Sequence, residues 1–233
     1  MNMNERPNRL LGIGTDAKTV KGEKRGILTG IMYLAPYTLS GTNVCPMAEL
    51  AECHGPCLNT AGRGKMTNVQ MARVRKTNFW HEDREGFIAL LLKEIRRVVR
   101  KAEKDGMVPM IRLNGTSDIR WEREAPEVFA AFPDVQFYDY TKIPNRRNLP
   151  ENYHLTFSYS GANDRYAAFA DVAKDAGMNI AVVFRNTLPD TFLGLPVVNG
   201  DESDVRPMDP QGVVVGLTAK GSAKHDTSGF VQG

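Results

Sequence analysis

The sequence predicts an α/β protein built on a mainly parallel sheet with helices on both faces, as a partial (β/α) barrel in preference to an open doubly wound sheet. Three observations carry that expectation. From residue 26 onward, strand-length apolar runs alternate with segments of helical period, and strands separated by helices join through right-handed crossovers into parallel pairs. The 233 residues, 42% hydrophobic and 24% charged, have the composition of an ordinary folded chain and can hide roughly 70–75% of the unfolded surface in one core. No internal repeat or low-complexity tract interrupts them, so residues 1–233 read as one domain.

Residues 1–24 are polar and rich in turn formers. Within them Gly12-Ile13-Gly14-Thr15-Asp16-Ala17 superficially matches a dinucleotide fingerprint, but no strand precedes it and no helix follows, so it reads as loop. The first strand is expected at 26–35, where Ile27, Leu28, Ile31, Met32 and Leu34 make an apolar run. Pro36 ends it, because a prolyl nitrogen cannot donate to a sheet ladder. Residues 37–65 form a long loop containing Gly, Pro and Asn. A helix is expected at 66–79 and another at 82–104, where Phe87, Leu91, Ile95, Val98 and Ala102 recur at helical spacing. Acidic Glu82, Asp83 and Glu85 open that second helix and basic Arg100, Lys101 and Lys104 close it, as the helix dipole favours; Asp105-Gly106 supplies the stop. Further strands are expected at 107–113, 135–140, 153–159, 180–184 and 212–217, with helices at 125–132 and 164–176. The rest of 186–233 is Pro- and Asp-rich and reads as loop.

Charge and hydropathy narrow the class. Thirty Lys and Arg against 27 Asp and Glu leave a net +3, too little by itself to establish a nucleic-acid partner. No stretch approaches the ~18 consecutive apolar residues of a membrane span, and the polar N-terminus lacks the apolar core of a secretory signal. The expected compartment is the cytoplasm, with no membrane partner; oligomeric state is not legible. The charge is uneven, however. Residues 63–104 hold twelve basic against five acidic side chains, a stretch suited to tracking phosphates, although over 93–104 the expected reading is a solvated outer helix face.

The most informative feature is the set of cysteines. The chain has only Cys45, Cys53 and Cys57, all inside the 37–65 loop. An odd number of thiols in a cytosolic chain argues against a disulfide framework. A loop this long needs something other than backbone ladders to hold it, and a metal is one such device. Thiolates suit zinc and iron–sulfur clusters alike. A closed zinc site needs a fourth ligand, from His54, His81 or a carboxylate, whereas a [4Fe-4S] cluster on three cysteines leaves one iron open. The pattern leaves cluster, zinc and metal-free loop as alternatives.

Other candidate groups lie at strand ends, where α/β enzymes keep their reacting residues. Arg112, Asn114, Ser117 and Asp118 follow the 107–113 strand; Asp118 is the candidate catalytic base or nucleophile, although Asn114 and Asp118 also suit a plain turn and cap. Lys142 ends the strand at 135–140 and, with Arg112 and Arg63, is a candidate substrate contact. Alternation puts Asp139 on the opposite face from Tyr138 and Tyr140. Asp201, Glu202, Asp204 and Asp209 do not have calcium-loop spacing and are expected in exposed turns.

Two resemblances add to this. The cysteine loop running into Ala61-Gly62-Arg63-Gly64, the segment Ile111-Arg112-Leu113-Asn114-Gly115-Thr116-Ser117-Asp118, the run Phe137-Tyr138-Asp139-Tyr140-Thr141-Lys142 and the Lys220-Gly221 region resemble a family of small tailed-bacteriophage proteins, over most of the chain. That implies a phage origin and host cytoplasm, and brings no chemistry. The placement of the cysteine loop after the first strand distantly resembles the radical S-adenosylmethionine enzymes, though the spacing of seven and then three residues departs from their usual three and two. This resemblance implies a [4Fe-4S] cluster on Cys45, Cys53 and Cys57. It further implies S-adenosylmethionine at the open iron, with Asn114 and Ser117 holding cofactor, and a deoxyadenosyl radical that abstracts hydrogen. With the basic stretch, it points to a nucleotide or nucleic-acid substrate. The alternatives are a zinc-stabilised nucleic-acid-binding protein without catalysis, or a transglycosylase-like base-exchange barrel enzyme with Asp118 as nucleophile.

Overall fold

In the computed structural model, which describes residues 6–14 and 17–233, the chain opens with β1 (Leu11–Gly12) and α1 (Ala17–Glu23). Next come β2 (Ile27–Met32), the cysteine loop, and helices α2 (Thr67–Glu82) and α3 (Arg84–Asp105). Strand β3 (Val108–Arg112), the short helices α4 (Trp121–Glu124) and α5 (Pro126–Ala130), and strands β4 (Gln136–Thr141) and β5 (Tyr153–Ser158) follow. The last part holds α6 (Asp164–Ala167), α7 (Phe169–Asp175), β6 (Asn179–Phe184), β7 (Thr191–Phe192), β8 (Leu195–Asn199), β9 (Val214–Thr218) and β10 (Val231–Gln232).

The ten strands form one mostly parallel sheet in the order β1-β2-β3-β4-β5-β6-β9-β8-β7, with β10 also on β6. Neighbours from β2 to β8 are parallel; β1 and β7 are antiparallel edges that do not pair with each other, so the sheet is not closed. Each strand from β2 to β6 adds beside its predecessor, as short right-handed crossovers require.

The helices divide unequally between the faces. Phe87, Leu91, Ile95, Val98 and Ala102 of α3 join Trp121, Phe129, Tyr166 and Ala173 of α4 to α7 in one core with Leu28, Ile111, Phe137, Phe157 and Ile180 of the sheet. The opposite face carries Ile27, Met110 and Tyr138 packed on Val205, the 206–208 turn over β4 and β5, and α1 beside Thr29. The expectation of helices on both faces is thus met at one edge only; a C-terminal segment does the covering elsewhere.

Sequence signals set the firmest element. Asp83 caps α3 by accepting the Gly86 N–H at 2.9 Å, and Gly106 ends it with φ +66°. Three expectations need correction. The 1–24 segment is not all loop: Leu11 pairs with Met32, and the Leu10 and Leu11 N–H groups donate to Glu94 at 2.7 Å. Glu94 therefore lies buried within the 93–104 face expected to be solvated. Of the fingerprint-like stretch, Gly12 lies in β1 and Ala17 opens α1, while Thr15 and Asp16, like residues 1–5, lie outside the described residues. In the C-terminal segment, β7 and β8 form a two-residue hairpin whose Leu193 and Gly194 both have positive φ. That is the geometry of a type I′ turn, and a leucine at its first position hides the signal. No helix among the described residues is long and apolar enough to cross a membrane.

Candidate functional site

The C-terminal ends of β3, β4, β5, β6 and β9 open on a cavity of about 200 Å³. Its lining contains Cys45, Cys53, Cys57, Arg112, Asn114, Ser117, Asp118 and Lys142, which is every predicted site residue except Arg63. Arg63 is exposed in the 3-10 turn Gly62–Lys65, outside the lining. Apolar wall comes from Met47, Val183, Leu217 and Phe230.

Hydrogen bonds from other loops hold the cysteine loop. The Asp118 N–H donates to Val44 O at 2.8 Å, Ser160 Oγ to Ala51 O at 2.7 Å, Asn163 Nδ2 to Leu50 O at 2.6 Å, and Ser222 Oγ to Gly55 O at 3.0 Å. These polar anchors satisfy a backbone that has no ladder. The three cysteines are free thiols. Tyr37 N–H points at Cys45 Sγ at 3.3 Å and Asn59 N–H at Cys57 Sγ at 3.5 Å. Burial pushes the Cys45 thiol up to about 12, and those of Cys53 and Cys57 up as well. Neighbouring thiols and Asp118 add to the rise at Cys45 and Cys53, while Lys142 works against it at Cys53 and Cys57. Among the described residues, no group of three or more His, Cys, Asp or Glu side chains is placed to hold a single metal ion.

Lys142 is a half-buried cation facing the thiols. Its Nζ donates to Ser158 Oγ at 3.0 Å and Ser158 O at 3.2 Å, and lies 4.6 Å from the Phe230 ring. Burial lowers its pKa, while Cys53, Asp118, Cys57 and Cys45 pull it back up. Asp118 fixes the turn that carries it, accepting from Lys142 N–H at 2.7 Å and Thr141 Oγ1 at 2.8 Å. Burial pushes the Asp118 carboxyl up, against Arg146, whose Nη1 stands 3.6 Å away. Arg146 is itself clamped by both oxygens of Glu122 and by Tyr153 Oη.

Asn114 and Ser117 build the loop itself. Asn114 Oδ1 accepts from Ser117 Oγ, Ile119 N–H and Trp121 Nε1 at 2.8, 3.0 and 3.1 Å, and its Nδ2 donates to Ile119 O at 2.9 Å. Its own N–H donates to Asp139 Oδ1 at 2.7 Å. Asp139, as alternation predicts, lies on the helix-covered face; Arg112 on the other face is paired with Asp204 at 2.9 Å. Asp204 is buried, which corrects the expectation of exposed acidic turns: a buried guanidinium needs a carboxylate, and the C-terminal segment brings one. Arg146, Glu122 and Tyr153 escaped sequence reasoning because they meet from three separate segments. Phe230 did so because it lies in the bend just before a strand of only two residues.

The architecture and the cavity define an α/β protein whose parallel strands end on a site walled by three free thiols and one half-buried lysine. The chain belongs to the Gene product 88 family, a phage-type family whose pattern matches residues 8–233. No curated protein and no solved structure matches it.

Proposed function

We propose that this cavity is the active site of an iron–sulfur, radical S-adenosylmethionine-like enzyme acting on a nucleotide or nucleic acid in the host cytoplasm, with the cluster carried by Cys45, Cys53 and Cys57. One observation supports the reading: three free thiols from one loop line one cavity at the strands' C-terminal ends. Three thiolates leave one iron of a [4Fe-4S] cluster open, whereas a closed zinc site needs a fourth ligand that the loop would have to recruit. When bound, such a cluster supplies the electron that starts radical chemistry on S-adenosylmethionine.

The chain's own residues do the rest. Lys142 offsets the negative charge of the thiolates. Asp118 acts through it, by holding the Thr141–Lys142 turn. Asn114 and Ser117 keep the β3 loop in shape at the cavity wall, and Val183, Leu217 and Phe230 exclude water. We also read the sheet as part of a β/α barrel, since β2 to β6 follow one another in order with the large helices on one face.

Anaerobic purification and iron analysis test the reading. A brown protein with about one cluster per chain, whose colour is lost in Cys45→Ala, Cys53→Ala and Cys57→Ala, is expected. A colourless protein with stoichiometric zinc would replace this reading with the zinc-stabilised nucleic-acid binder. A covalent nucleic-acid adduct abolished by Asp118→Asn would replace it with base exchange.

A further inference from the structure

Buried polar atoms are nearly always hydrogen-bonded, and the stretch of sheet beside the cavity departs from that rule. Tyr140 Oη, Arg112 Nε, Thr156 Oγ1 and Arg206 Nη1 are buried without a hydrogen-bond partner among the described residues. They are neighbours. Tyr140 and Thr156 stand opposite each other across β4 and β5, on one face of the sheet. The Arg112 guanidinium lies 4.8 Å from the Tyr140 ring, and the turn carrying Arg206 packs on both strands. Arg112 and Tyr140 line the cavity, and Thr156 and Arg206 lie next to them outside its lining.

The chemistry of these atoms is one-sided. Guanidinium nitrogens only donate, and both hydroxyls can donate. Of the carboxylates nearby, Asp204 takes Arg112 Nη1 at 2.9 Å, Asp139 stands 3.9 Å from Arg112 Nε, and Asp209 Oδ2, 3.2 Å from Arg206 Nε, makes no hydrogen bond among the described residues. What completes such a set is a group rich in acceptors, and charged donors favour an ionised one.

We propose that the Arg112 and Tyr140 side of the cavity is an oxyanion site, which takes the carboxylate or phosphate of a small ligand whose apolar body lies against Val183, Leu217 and Phe230. The site needs no metal and goes beyond the cluster reading.

The test uses the metal-free full-length protein. Its melting temperature is followed against inorganic phosphate and, separately, acetate, with chloride at matched ionic strength as control. At least one oxyanion is expected to raise it saturably, as a ligand of the native state must. A response to phosphate alone identifies a phosphorylated ligand, and a response to acetate alone a carboxylate. Tyr140→Phe and Thr156→Val each remove one unpartnered oxygen, so both variants should melt no lower than wild type without the anion. Each should raise the anion's apparent Kd by about tenfold, the cost of one lost bond to an ion. Lys224→Ala, on the exposed surface, should keep the wild-type response. The proposal is overturned if neither oxyanion acts beyond chloride, or if the two hydroxyl variants respond as wild type does. It is equally overturned if those variants melt far below wild type, since the hydroxyls would then be holding the fold. Iron reconstitution on the same preparations separates the two readings: a protein that takes up iron but ignores both oxyanions loses only this site.

Discussion

Asp139 is fully buried at the centre of β4, and burial pushes its carboxyl up to about 7 against the pull of Arg112, the Asn114 N–H and Tyr153 Oη. A carboxyl whose pKa is raised by folding favours the native state while it is protonated. That contribution is complete below the unfolded value, about 4, and is lost as pH rises through the folded one. Urea titrations between about pH 4 and 7 should therefore show wild type losing stability relative to Asp139→Asn, by on the order of 1 kcal/mol per pH unit; parallel curves would refute it. Arg146 makes the opposite kind of contribution. Removing it strands the buried Glu122 and Asp118 carboxylates, so Arg146→Met should cost about 3–5 kcal/mol in chemical denaturation. The thiols, held neutral by burial, should react slowly with iodoacetamide at neutral pH until the protein unfolds, in contrast to an activated cysteine.

Among the elements, α3 shows how far local signals reach. Its apolar stripe, acidic start and glycine stop place it within two residues of where it lies, because every cue sits inside the helix or beside it. The loop after β3 is different. A Cβ on Gly115 would come within 2.6 Å of Met32 O and 2.7 Å of the Tyr33 ring, so this loop passes directly against the end of β2. Gly115→Ala should destabilise by roughly 1–3 kcal/mol, the cost of overpacking, and should perturb the Asn114–Ser117–Asp118 segment, as read by amide exchange in that loop. Nothing in the residues around Gly115 announces this contact, since its partner lies some 80 residues back in the chain. Strands β7 and β10 were illegible for a related reason: strands of two residues have no period to detect.

Across the whole molecule, the C-terminal segment closes what the earlier strands begin. Strand β10 lies on β6 beyond the end of β5, with Val231 opposite Val183. Arg185 fastens it by donating to Gly233 O, Lys224 O and Asp226 O at 3.0, 3.0 and 2.7 Å. Phe230 then forms cavity wall against Lys142. Phe230→Ala should cost stability toward the low end of ~3–5 kcal/mol. It should also admit solvent to the thiols, so that their alkylation accelerates in the folded protein; unchanged rates would show that the ring does not shield them. The alternation of strands and helices, the helix α3 and the grouping of Cys45, Cys53 and Cys57 in one loop were determined by the sequence alone, because periodicity and spacing are local properties of a chain. That those thiols share a cavity with Lys142, that Asp204 neutralises Arg112, and that Phe230, beside the last strand, walls the site were decided only in three dimensions. Buried charges and orphaned donors find their partners by proximity in the fold, which separation along the chain does not encode.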